Sequence, residues 1–119
     1  MSIEIANTIL AQIKSGHVAA EKGGDKAISG QHAMMIWGFN EPYAIRESDG
    51  CLGGLIFNVN GRFHKGRVIV KLMGNDTYTI EFYKRNVNVH SISDAYFDDL
   101  TPFIDDFVET DVSGFHKQG

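Results

Sequence analysis

Apolar residues recur every four positions at the start of the chain, at Ile5, Ile9 and Ile13, with Ala6 and Leu10 beside them. That spacing makes one stripe on a helix over residues 2–15, with Glu4, Asn7, Gln12 and Lys14 turned to water. Ser2 is suited to the N-cap and Gly16 to the stop. From residue 17 to 31 the pattern dissolves. The run from Glu21 to Lys26 is polar and holds two glycines, which predicts an exposed loop over 17–31. His32 to Trp37 is apolar on every side, so periodicity leaves helix or strand open there. A short helix ending at Gly38 is the preferred reading, followed by an irregular stretch through Pro42 to Ile45. Trp37, Phe39 and Tyr43 are expected in the core or at its edge.

From residue 54 the period becomes two. Leu55, Phe57 and Val59 alternate with Ile56 and Asn58 before the Asn60-Gly61 turn signal. Val68, Val70 and Leu72 alternate with Arg67, Ile69, Lys71 and Met73, and Gly74-Asn75 marks the next tight connection. Tyr78, Ile80 and Phe82 follow, alternating with Thr79 and Glu81. Val87, Val89 and Ile92 suggest a fourth, shorter strand. An antiparallel meander with one buried face results. Over 94–110 the helical period returns. Tyr96, Leu100, Phe103 and Phe107 share a stripe that Phe97, Ile104 and Val108 widen. Pro102 predicts a kink or break near residue 101. The fold class expected is α+β: a three- to four-stranded antiparallel meander with N-terminal and C-terminal helices packed on one face. The chain reads as a single domain over 1–119, with 113–119 a frayed tail.

Length agrees with one domain, since 119 residues bury one core and not two. No run approaches the roughly eighteen apolar residues that span a bilayer. The start, Met-Ser-Ile-Glu-Ile, has no secretory pattern, so the expected compartment is the cytoplasm. Hydrophobic residues at 43% and charged residues at 22% exclude a disordered or fibrous chain. The net charge of −4 argues against a constitutive sequence-independent DNA binder.

The two signs are segregated. Residues 62–85 hold six of the 11 basic residues: Arg62, Lys65, Arg67, Lys71, Lys84 and Arg85. Residues 94–111 hold acids and no base. On one helix, Asp98 and Asp105 would lie almost above one another, as would Asp99 and Asp106, with Asp94 extending the first row. Two outward rows of carboxylates can make a docking face for a basic partner, although charged outer faces are the rule on amphipathic helices and also describe an ordinary solvated face. The basic strands, with Phe63 and Tyr83 nearby, offer an alternative nucleic-acid surface of phosphate contacts and stacking. They also fit a solvent-facing sheet with cross-strand Lys–Glu pairs.

Catalytic chemistry is not legible. The five histidines, His17, His32, His64, His90 and His116, show no i, i+4 pair, and Cys51 stands alone, so no metal, cofactor or catalytic residue is expected. Cys51 reads as a small packing residue. The Gly50-Cys51-Leu52-Gly53-Gly54 run lacks the Lys-Ser/Thr of a phosphate loop.

Five segments taken in order carry a resemblance: Thr8 to Gln12, Gly54 to Phe57, Val68 to Leu72, Asp76 to Phe82 and Ala95 to Phe103. Together they resemble small uncharacterised proteins of tailed phages, prophages and mobile elements, over about half the chain. The Asp76-Thr77-Tyr78 and Glu81-Phe82 pieces are the most specific part. The long 17–31 segment and the acidic end depart from the pattern. The resemblance implies a phage-borne accessory protein in a bacterial cytoplasm, binding a host protein or nucleoprotein complex with a basic surface. Anti-defence action, such as blocking a CRISPR effector or a restriction system, belongs to that context.

Overall fold

The computed structural model describes residues 2–18, 28–48 and 50–109. The N-terminal stripe folds as α1, Ser2–Ser15. Ile9 and Ile13 are fully buried, while Glu4, Asn7 and Lys14 face solvent. The helix ends where expected, for a different reason. Gly16 is not in the left-handed conformation of a glycine stop. It is needed for close approach: a Cβ there would overlap the Thr101 hydroxyl. That hydroxyl donates to the Ile13 carbonyl at 2.7 Å, adding a bond from a distant segment to the one this carbonyl accepts from the Gly16 N–H at 3.2 Å at the helix end.

The ends of the predicted loop are paired. His17–Val18 (β1) and Ile28–Ser29 (β2) form a two-stranded antiparallel ribbon. The loop's centre, 19–27, and the expected tail, 113–119, lie outside the described residues. Ser29 then caps α2, Gly30–Trp37, its Oγ accepting from the His32 N–H at 3.1 Å. The ambiguous apolar run is therefore helix, closed by Gly38 at φ 69°. Residues 40–45, expected to be irregular, form strand β3, Asn40–Ile45. Pro42 is tolerated because β3 is an edge strand with a register shift between Asn40 and Tyr43. Tyr43, expected near the core, is exposed there.

The meander follows as β4 (Cys51–Asn60), β5 (Lys65–Met73), β6 (Tyr78–Lys84) and β7 (Val87–Ala95). The sheet runs β3-β4-β5-β6-β7, antiparallel throughout. The fold is α+β, with five strands in this sheet rather than three or four. Leu55, Phe57, Val59, Val68, Val70, Tyr78, Ile80 and Phe82 are buried as their alternation requires. They share one core with Ile9, Ile13, Trp37, Leu100, Ile104, Phe107 and Val108. The opposite face carries Ile56, Asn58, Arg67, Ile69, Lys71, Glu81 and Tyr83, exposed or half-buried. Strand β7 is longer than expected, and its Val87 and Val89 are exposed. No helix of the described residues is long and apolar enough to cross a membrane.

Because β7 runs to Ala95, the C-terminal helix starts late. Phe97–Asp99 is a 3-10 turn, and α3 spans Leu100–Glu109. The expected break falls at this junction. Pro102 sits in the first turn of α3, where its missing N–H is no loss. Leu100, Thr101, Ile104, Asp105, Phe107 and Val108 are buried, and Phe103 is half-buried. Tyr96 and Phe97, expected on the buried stripe, are each 60% exposed.

Candidate functional site

The late helix start breaks up the acidic rows. Asp98 lies in the 3-10 turn and Asp105 in the α-helix, so the seven-residue relation that assumed one continuous helix does not apply. Asp105 is only 6% exposed and accepts a hydrogen bond from the Trp37 indole Nε1 at 2.9 Å. It cannot offer its carboxylate to a partner, and its expected exposure is corrected. Asp99 is half-buried, and its Oδ2 accepts from the Tyr96 backbone N–H at 3.0 Å. It fixes the turn. Asp106 is half-buried and helps line an apolar hollow of about 330 Å³ with His90, Ser91, Ile92 and Phe103. Of the five acids, Asp94 and Asp98 are the exposed ones.

What the turn builds instead is a corner. Asp94 adopts φ 59°, a left-handed conformation that aspartate tolerates better than most residues. It lies where β7 slips register against β6, between the Ala95–Tyr78 and Ile92–Ile80 pairs. The strand is bent there, and the chain turns through Tyr96 and Phe97 into Asp98. Two aromatic rings thus stand in solvent, flanked by two exposed carboxylates. Period-based reading missed these rings because it placed them on a helix.

The basic residues gather at the other end of the sheet. Adjacent strands are antiparallel, so the β4–β5 connection and the β6–β7 turn lie at one end, and the β5–β6 connection and the exit of β7 at the opposite end. Arg62, Lys65, Arg67, Lys84 and Arg85 are all exposed at or beside the first end. Lys71 is set apart, pairing with Glu81 across β5 and β6 at 3.1 Å, the cross-strand pair expected of a solvent-facing sheet. Glu109 reaches the basic end too, its Oε2 accepting from the Arg62 backbone N–H at 3.1 Å. Burial raises the Glu109 carboxyl above its ordinary range and the Asp105 charge adds to this, against the Arg62 N–H and charge, which lower it.

The remaining chemistry is structural. Cys51 is buried, its Sγ donating to the Gly53 carbonyl at 3.4 Å. The ring of His64 lies edge-on to Phe82, with centroids 5.7 Å apart, and His90 stacks on Phe107 at 5.0 Å. His17 and His32 are exposed, and His116 lies outside the described residues. Among the described residues, no group of three or more His, Cys, Asp and Glu is placed to hold a metal ion.

No family model matches the chain, and neither a curated protein nor a solved structure matches it.

Proposed function

We propose that this is a non-enzymatic accessory protein of phage or mobile-element origin that docks on a host nucleic-acid-handling complex and inhibits or modulates it. The observation that carries the docking role is the corner at the end of β7. Tyr96 and Phe97 are each 60% exposed, between exposed Asp94 and Asp98. Solvent-standing aromatics of this kind are typical anchors of protein interfaces, and flanking charges select the partner. Carboxylates here favour a basic surface, which machines that hold nucleic acid carry for their substrate. The phage setting rests on the sequence resemblance. The composition, 15 acids against 11 bases, is that of a local acidic contact rather than of a full DNA mimic.

Affinity capture from a bacterial host lysate tests this. Wild-type protein should retain a specific complex that salt weakens. The Tyr96→Ser/Phe97→Ser double variant should lose it while melting normally, since both side chains are exposed. Asp94→Asn/Asp98→Asn should weaken it. Absence of a specific partner, or equal capture by the double variant, would refute the proposal.

A further inference from the structure

We propose that a hollow at the basic end of the sheet is a phosphate subsite for single-stranded nucleic acid, separate from the aromatic corner and independent of it. Asn58, Gly66, Arg67, Tyr83, Arg85 and Asn86 line this hollow of about 150 Å³. Its floor is one cross-strand row: Arg67 pairs with Asn58 on β4 and with Tyr83 on β6. Its rim is the β6–β7 turn. Arg85 and Asn86 have φ 52° and 67° between the paired Lys84 and Val87, which makes a two-residue hairpin turn with both central residues left-handed. Glycine or asparagine is the usual choice at such positions, and an arginine is strained there. The strain places a second guanidinium on the hollow that Arg67 already lines.

The lining is chemically one-sided. Two guanidiniums supply N–H donors beside the amides of Asn58 and Asn86, and neither Arg67 nor Arg85 has an ion-pair partner among the described residues. Two acids lie nearby. Glu81 accepts from the Tyr83 hydroxyl at 3.1 Å, and its charge is met by Lys71. Glu41 accepts from Asn58 Nδ2 at 2.7 Å, orienting that amide. A planar arginine fork matches phosphate oxygens better than any other side chain does. The volume decides the kind of ligand. Pockets that enclose a small molecule run from about 300 to 1,000 Å³, so this one admits a single charged group of something longer. Arg62, Lys65 and Lys84 at the same end offer contacts for further phosphates, and the Tyr83 ring offers a stacking surface for a base. Stacking requires bases free of a duplex, which selects a single strand.

The probe is a fluorescein-labelled oligothymidylate of about 15 nucleotides, near the upper site size of one small domain, followed by anisotropy at several salt concentrations. Wild-type protein should bind it at low salt and prefer it to a duplex of equal length. Arg67→Gln/Arg85→Gln should weaken binding about tenfold and flatten the salt slope by roughly 0.7, the share of the one phosphate that the hollow holds. Arg85→Gly separates folding from binding. It relieves the turn, so the variant should melt no lower than wild type yet bind more weakly. The Tyr96→Ser/Phe97→Ser variant should bind the oligonucleotide as wild type does. Absence of binding at low salt, equal affinity in the double arginine variant, or equal preference for duplex would overturn the proposal. Competition by thymidine monophosphate as strong as by the oligonucleotide would overturn the polymer assignment.

Discussion

The meander and the C-terminal segment both alternate apolar with charged residues, and they obey that alternation differently. In β4 to β6 the apolar positions of the inner set are buried, with Leu72 at the edge half-buried, and each charged position faces out. Between Ala95 and Glu109, two aromatics face out and an aspartate faces in. A strand's period of two is locked by its ladder, so phase is not in question once pairing is set. A helix's phase depends on where the helix begins. Strand β7 extends to Ala95 and a 3-10 turn intervenes, so α3 starts several residues later than the apolar pattern implies. Asp105 then falls on the inner side, where the Trp37 N–H awaits an acceptor.

The largest effect is expected at Trp37, which is fully buried beneath α3. Trp37→Ala should lower stability by about 3–5 kcal/mol in urea unfolding, while Met35→Ala, 77% exposed on the same helix, should change it little. The next test sets the two aspartates side by side. Asp105→Leu leaves the buried indole N–H without its acceptor and should cost about 1–3 kcal/mol. Asp98→Asn should stay within about 0.5 kcal/mol. Equal losses at both positions would restore the two-row picture. Phe103 is half-buried, so Phe103→Ala should cost about 1–2 kcal/mol, less than Phe107→Ala; the reverse order, read from thermal melts, would mean that α3 is rotated.

The smallest effect concerns Glu109. Its carboxyl titrates above the ordinary 4.5, chiefly through burial. The folded state therefore holds that proton more tightly than the unfolded chain does. Stability from this group is present at low pH and is lost as pH rises from about 4.5 through the raised value. Glu109→Gln should remove that slope, gaining on wild type across the window and holding its gain above it. Melting curves of both proteins across the window would show parallel pH profiles if the shift were absent.

The legible parts share a physical cause. α1, the capped end of α2 and the inner face of the meander are written in spacing: Ile5-Ile9-Ile13, Gly38, and Leu55 to Phe82 at period two. β3 was not legible, because Pro42 and four exposed neighbours hide a strand that exists only by pairing with β4. The corner at the end of β7 was half legible, its acids from composition and its rings not at all. The gathering of the cations needed the strand order, since Arg62 and Arg85 are far apart in the chain and share an end only through the antiparallel turns.

By itself the sequence determined the class of fold, the inner residues of the sheet and the separation of charge along the chain, because local period and composition carry those. Tertiary structure alone decided that Asp105 is a buried acceptor, that Thr101 closes α1 across Gly16, and that Tyr96 and Phe97 stand in water. Each of those outcomes depends on a partner or a strand end that is remote in sequence, and no local pattern specifies where the chain will bring such groups together.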